Sequence, residues 1–328
     1  MNISDIAEMA GVSRAAVSRY LNHGYISAEK SERIKKVIEE TGYKPSIMAQ
    51  TLRTKKTRLI GVILPRINSD TISSVVAGIG NILCDAGYEM ILATTMNRPD
   101  KELDYLRIFS ENRVDGVIFL ATVFTREHKK LLKHYPIPIV IVGQRLDGVS
   151  CIYHDDYHAG QELARLMEKK GRKKICYIGV IREDAAVGRD RADGVRSILD
   201  EKLVPELRAT ADFSIKAGYE KMKELIRRSP EIDGVICATD SIAVGAMKYL
   251  KEQGISVPEQ ISVCGFGDNK ISAETTPALT TVHFYYQESG EKAARKILEM
   301  LSSKSNTEEQ TKLGYELIAR ESVSDNHK

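Results

Sequence analysis

The sequence predicts a small all-α head joined to a larger α/β core of two lobes, and three observations carry that expectation. The chain has 328 residues, more than one compact core holds at roughly 150 residues per domain. Its first 58 residues show only helical periodicity, whereas from Arg58 onward short β-branched runs alternate with helix-length segments. Asp115-Gly116-Val117-Ile118 recurs as Asp233-Gly234-Val235-Ile236, each after a helical segment and at a strand start, which hints at two similar lobes. Composition agrees: 42% hydrophobic and 28% charged residues suit a globular chain able to build sizeable cores.

In the head, Asn2 caps a first helix with Asp5 three residues on, Ile6 and Met9 share a face, and Gly11 terminates it. After the Gly11-Val12 corner, Ser13 caps a second helix whose inward positions are Ala16, Val17, Tyr20 and Leu21. Ser27 caps a third, with an Ile34, Val37, Ile38 stripe stopped by Gly42. Two short helices joined by a glycine turn form a helix-turn-helix, whose second helix fits the DNA major groove. On its outer face the small Ala15 allows close approach, Arg14 and Arg19 reach guanine edges or phosphates, and Ser13 or Asn22 can donate to phosphate oxygens. On periodicity alone a plain three-helix bundle with a solvated arginine face competes with this reading.

Charge points the same way. Residues 1–58 hold 11 Lys+Arg against 6 Asp+Glu, a net of +5, while the remainder holds 37 against 39, a net of −2. Residues 41–58 carry Lys44, Arg53, Lys55, Lys56 and Arg58 and no acid, which draws a polyanion such as nucleic acid; a basic solvated linker would show the same charge. Ser46 can cap a helix of about two turns from Ile47 to Arg53, too short to be stable alone. On it Leu52 is an apolar wedge beside basic residues, as minor-groove insertion requires, or simply a linker residue packed on a lobe. No apolar run approaches the ~18 residues of a membrane helix, and Asp5 and Glu8 sit where a secretory signal would be cationic and then apolar, so the chain is expected in the cytosol. The five cysteines lack CxxC spacing, and Cys176, Cys237 and Cys264 lie in apolar runs, which suits reduced, buried thiols.

The residues "ISDIAEMAGVSRAAVSRYLN" and "YKPSIMAQTLRTKKTRLIGVILP" resemble the lactose repressor/galactose repressor family of bacterial transcription regulators, and the likeness runs over nearly the whole chain. The resemblance implies that Asn2, Ser13, Arg14, Ala15, Arg19 and Asn22 contact double-stranded operator DNA, that Leu52 levers open the minor groove, and that the core is periplasmic-binding-protein-like. The organisation it implies is a helix-turn-helix domain over 1–45, a hinge helix and linker over 46–57, an effector-binding and dimerisation core over 58–322, and a polar tail over 323–328. Within the core, lobe one is expected over about 58–156 and 286–312, and lobe two over about 157–285 and 313–322.

Strands are expected at Leu59–Leu64, Met90–Thr94, Gly116–Ala121 and Ile137–Val142, then Ile175–Val180, Gly234–Ala238 and Ile261–Gly265, as runs without polar alternation that suit doubly wound parallel sheets. Two such lobes make a cleft at the carboxyl ends of their strands, where ligands bind. Arg191, in "GRDRADG", can grip vicinal hydroxyls or a phosphate, or be a surface arginine. Thr239-Asp240 directly follows a strand, where Asp240 can accept from sugar hydroxyls, cap the next helix, or both. Phe213 and Tyr286 offer faces for sugar rings, though single aromatics are more often core, and Ser69 and Thr71 complete the opposite wall. These seven positions stand where the resemblance places effector contacts, and Asp268 joins them from "GFGD".

Two departures from the family pattern bear on the effector, a sugar or sugar phosphate. Gly267 stands in the first of two positions the family commonly fills with acids, before Asp268, and Gly143 stands where many members have an acid. With Gln144, this pattern looks most like the sucrose-repressor branch. An enzyme is disfavoured: Gly265-Phe266-Gly267 follows a strand but Lys270 holds the third glycine position of a dinucleotide fingerprint, and no GxxxxGK[ST] is present. His154-Asp155-Asp156-Tyr157-His158 has the composition of a metal site without proof that its side chains share a face, so no metal and no cofactor are expected. A sugar-transport protein is disfavoured by the basic head. One small head buries little DNA, so a homodimer on a pseudo-palindromic site is expected, without a coiled-coil module beyond Ser322.

Overall fold

The structure, a computed structural model, describes residues 1–22, 24–43, 56–112, 114–200, 203, 205–303 and 308–325. It divides into two compact units, Met1–Arg58 and Leu59–Lys328.

The first unit contains α1 (Ile3–Met9), α2 (Arg14–Leu21) and α3 (Ala28–Thr41). Local chemistry sets each start. Asn2 Oδ1 accepts from Ser4 N at 2.7 Å while Asp5 Oδ2 accepts from Asn2 N at 2.7 Å, a reciprocal capping box. Ser13 Oγ accepts from Ala16 N at 3.2 Å. The corner between α1 and α2 depends on Gly11, at φ +61, which Arg33 clamps by donating from Nη2 to its carbonyl at 3.2 Å. Ile6, Ala7, Ala10, Ala16, Val17, Ile34 and Val37 form the small core. The expected hinge helix, with Leu52, lies outside the described residues, as does most of the basic stretch.

The second unit holds two six-stranded sheets. Strands β1 (Leu59–Leu64), β2 (Glu89–Thr94), β3 (Gly116–Leu120), β4 (Ile139–Val142), β5 (Ser150–His154) and β11 (Gln310–Leu313) form the sheet of lobe one, in the order β11-β5-β4-β3-β1-β2 with every pairing parallel. Strands β6 (Ile175–Gly179), β7 (Arg208–Thr210), β8 (Gly234–Cys237), β9 (Ser262–Phe266), β10 (Thr280–Phe284) and β12 (Tyr315–Ile318) form that of lobe two, in the order β12-β10-β9-β8-β6-β7. Only β12 runs antiparallel to its neighbour. The central strands are buried along almost their whole length, as covered parallel sheets demand. Lobe one is covered by α4 (Asp70–Asp85), α5 (Pro99–Glu111), α6 (Arg126–Leu132) and α12 (Tyr286–Ser303). Lobe two is covered by α7 (Asp156–Lys169), α8 (Arg191–Leu199), α9 (Ile215–Arg228), α10 (Asp240–Glu252) and the short α11 (Lys270–Glu274). The chain crosses between the lobes three times, at His154–Asp156, Phe284–Tyr286 and Leu313–Tyr315.

The core runs through Ser322 into the polar tail expected over 323–328. Ser322 is fully buried; its hydroxyl donates to Val263 O at 2.6 Å and accepts from Thr280 N at 2.8 Å. Asp325 pairs with Lys170 at 3.1 Å, so the segment is tied to lobe two at least to residue 325. Cys151, Cys176, Cys237 and Cys264 are buried thiols and Cys84 is an exposed one. Among the described residues no helix is long and apolar enough to cross a membrane.

Candidate functional site

On the head, α2 turns Ala16 and Val17 into the core and leaves Ser13, Arg14, Ala15 and Arg19 exposed on the other side. Arg14 and Arg19 therefore flank a surface that Ala15 keeps low. Asn22 ends the helix, its amide donating to the Ser18 carbonyl, and Asn2 spends its side-chain oxygen on the α1 cap. Those two polar groups serve the helices first.

In the core, a cavity of about 140 Å³ lies between the lobes at the carboxyl ends of their central strands. Ser69, Thr71, Arg191, Phe213, Thr239 and Tyr286 all line it. Arg191 is 4% exposed; its Nε donates to Asp156 Oδ1 at 2.7 Å and its Nη1 to Ala238 O at 2.7 Å, with the rings of Phe284 and Phe266 4.8 and 5.0 Å from the guanidinium carbon. Burial alone would lower the Arg191 pKa, but the Asp156 charge outweighs it and holds the group fully cationic. The sequence did not reveal that this guanidinium is already half committed to protein partners.

Two expected contacts do not line the cavity. Asp240 is fully buried beneath it, where its carboxylate accepts from Thr281 Oγ1 at 2.6 Å, Ser272 Oγ at 2.7 Å and Asn269 N at 2.9 Å. It organises the loop after β9 instead of offering oxygens to a ligand. Asp268 faces a separate groove, accepting from Arg320 Nη2 at 2.6 Å and lying 3.0 Å from His283 Nδ1. At the glycine-for-acid position, Gly267 sits at φ +135, a region L side chains rarely adopt.

Groups the sequence reading passed over complete the wall. Gln144 Nε2, from lobe one, donates to Asp184 Oδ1 in lobe two at 2.8 Å, with both residues buried. Asp184 also caps a π-helical turn over Ala185–Asp190, accepting from Val187 N at 3.0 Å, and burial pushes its pKa up to about 6. Arg66 of lobe one lies 4.2 Å from the centre of the Phe213 ring in lobe two, and Thr71 Oγ1 donates to Asn269 Oδ1 at 3.5 Å. His154 lines the cavity at the first crossing. Gln144 was noted in sequence only for its place after Gly143, and His154 only as part of a metal-like cluster. That cluster is dispersed: Asp156 holds Arg191, while Asp155 lies 2.7 Å from His158 Nδ1 and accepts from Lys312 Nζ at 2.7 Å.

Comparison with known proteins agrees with both parts. The model "Bacterial regulatory proteins, lacI family" matches residues 2–46, and "Periplasmic binding protein-like domain" matches residues 164–323. The sucrose operon repressor of Staphylococcus xylosus is 33% identical over 301 residues, covering 92% of this chain and 93% of that protein. This chain belongs to the lacI family of bacterial regulatory proteins. The HTH-type transcriptional regulator RegA of Clostridium saccharobutylicum is likewise 33% identical, over 98% of this chain and 99% of its own. Among solved structures, a transcriptional regulator CelR–cellobiose complex superposes with a TM-score of 0.75 at 25% identity, covering 98% of this chain and 99% of that one. The lac repressor dimer bound to operator superposes with a TM-score of 0.90 at 21% identity, covering 99% of both chains, and shows that the fold is shared. As a lacI-family member the protein is a DNA-binding transcription regulator and not an enzyme.

Proposed function

We propose that this lacI-family regulator represses genes of carbohydrate use from the cytoplasm, binding a pseudo-palindromic operator as a homodimer and changing its grip when a sugar or sugar phosphate occupies the cleft. Ser13, Arg14, Ala15, Arg19 and Asn22 are assigned to the DNA, with Leu52 as the minor-groove wedge. Ser69, Thr71, Arg191, Phe213, Thr239 and Tyr286 are assigned to the effector. The observation that carries the reading is that the cavity wall is closed by contacts between the lobes, Gln144 to Asp184 and Arg66 to Phe213. An occupant touching these groups binds one lobe arrangement better than another, and only such differential affinity can shift an equilibrium, typically by about 1–3 kcal/mol. The relatives support the class of effector by their names, a sucrose operon repressor and a cellobiose complex.

The test is fluorescence anisotropy with a duplex that the full-length protein selects from a random pool, repeated across sugars and sugar phosphates and across salt. Selective binding that weakens steeply with salt, and that at least one such compound changes about tenfold, is the expected result. Failure to enrich any duplex at low salt would overturn the DNA-binding assignment; enrichment insensitive to every compound would overturn the effector assignment.

A further inference from the structure

The cavity between the lobes adjoins a second space that the effector assignment does not use. An outer chamber of about 490 Å³ lies between Phe124, Arg145 and Tyr153 of lobe one and Tyr157, Glu183 and Arg189 of lobe two. The two spaces meet at Thr122, Gly143, Gln144, His154, Asp156 and Ala186, which line both. The inner cavity is small at about 140 Å³, and a cavity of about 150 Å³ takes one benzene molecule. It therefore takes one sugar ring at most, and any longer ligand must pass the shared residues. Gly143 leaves room for that passage. It sits at φ +89, and a Cβ built on it would meet only Ala121 O, at 3.7 Å, so a side chain there would project into space now free.

The outer chamber has the chemistry of a sugar subsite and not of a phosphate site. The half-buried Phe124 and Tyr153 and the exposed Tyr157 supply flat faces on which a sugar ring can pack. Its charges are largely paired already: Arg145 lies 3.3 Å from Asp147, Arg189 3.0 Å from Asp190, and Lys312 2.7 Å from Asp155. Lys129 adds a fourth cation to the lining, but Glu183 and Asp156 bring its carboxylates to five, so no surplus positive charge awaits an anion. Paired ions keep spare donors and acceptors, and a hydroxyl group can serve either.

We propose that the outer chamber is a second sugar subsite, and that the effector is an uncharged glycoside of at least two rings, one in the inner cavity and the next beyond Gly143. The proposal rests on the cleft being a sugar site. A monosaccharide fills the inner cavity and leaves the outer aromatic faces bare, whereas a phosphate on the outer ring meets more carboxylates than cations. Both lobes line the outer chamber, so the second ring adds contacts that depend on how the lobes sit and strengthens the preference for one arrangement.

Calorimetric titration of the full-length protein tests this with sucrose, cellobiose, maltose and trehalose, with glucose and fructose, and with glucose 6-phosphate and sucrose 6-phosphate, weak ligands being measured by competition. At least one disaccharide should bind about tenfold or more tighter than its component monosaccharides and than either phosphate. A monosaccharide or a phosphate that binds as tightly as every disaccharide would overturn the proposal while leaving the sugar site intact. Binding by none of these compounds would overturn the sugar site itself. Two variants then locate the second ring. Gly143→Asn places a side chain in the passage, and asparagine tolerates positive φ. Tyr157→Ala removes an aromatic face that lines the outer chamber and not the inner cavity. Each should weaken the disaccharide about fivefold or more, and more than its monosaccharides. Disaccharide binding unchanged in both variants, or equal losses for disaccharide and monosaccharide, would overturn the proposal. Should Gly143→Asn not fold, Tyr157→Ala, at an exposed position on α7, decides by the same comparison.

Discussion

Lobe one orders its strands β2-β1-β3-β4-β5-β11 and lobe two β7-β6-β8-β9-β10-β12, so β3 and β8, which carry the repeated Asp-Gly-Val-Ile, hold the same central place. The backbone entry matches too: Asp115 N donates to Leu59 O at 2.8 Å and Asp233 N to Lys174 O at 3.1 Å. The lobes differ in what they present to the cavity. Lobe two presents charge already satisfied within itself, Arg191 against Asp156 and, beneath the wall, Asp240 among three donors. Lobe one presents Ser69, Thr71 and Gly143, and two longer side chains, Arg66 and Gln144, that reach across. The same scaffold thus supplies one wall that is preorganised and one whose contacts depend on how the lobes sit.

The largest expected effect breaks the preorganised wall. Arg191→Met leaves Asp156 buried without its cation and should cost about 3–5 kcal/mol in urea unfolding. Arg191→Met combined with Asp156→Leu should recover most of that loss, because neither charge is then buried alone. A single variant as stable as wild type would mean that the ion pair does not hold lobe two's face.

The next sharpens the comparison through pH. The Asp184 carboxyl is raised from 3.8 to about 6 on folding, so the folded state holds its proton more tightly and stability falls as pH rises from about 4 to about 6. His154 is lowered from 6.5 to about 4, so its contribution runs the other way: stability is lost as pH falls from about 6.5 to about 4. Each is on the order of 3 kcal/mol, and together they nearly cancel. Relative to wild type, Asp184→Asn should therefore gain stability as pH rises through this window and His154→Phe should lose it. Parallel pH profiles for all three proteins would refute the assignment.

Smaller effects test the wall that reaches across. Gln144→Ala removes a donor to a buried carboxylate and should cost about 1–3 kcal/mol, with the Asp184 titration moving further up, read by carbon-13 chemical shifts of labelled aspartate. Arg66→Met should cost only about 0.5–2 kcal/mol, since it removes a cation from the Phe213 ring. If the lobes are set by these contacts, both variants should change small-angle scattering of the unliganded protein; an unchanged profile would place the inter-lobe arrangement elsewhere.

Much of the fold was readable because its signals are local. Asn2 and Ser13 satisfy helix-start donors within three residues, and the central strands declare themselves by uninterrupted apolar runs. The strands that were passed over, β5, β7, β10, β11 and β12, are short or carry polar residues, such as Gln310 and Lys312 in β11. Their strand character comes from a neighbour's hydrogen bonds and not from their own pattern. The cavity was readable to the extent that residues follow a strand end: Ser69 follows β1 and Thr239 follows β8.

What the amino-acid order determined by itself was the helical head, the parallel sheets and the two-lobed plan, because caps, glycine corners and apolar runs act over a few residues. What only tertiary structure decided was which polar groups face a ligand. Asp240 and Asp268 were drawn into protein partners, while His154, Gln144, Asp184 and Arg66 came to line the cavity. The physical reason is that a polar group's availability depends on whether a distant residue has already satisfied it. Gln144 and Asp184 are 40 residues apart in sequence and 2.8 Å apart in space.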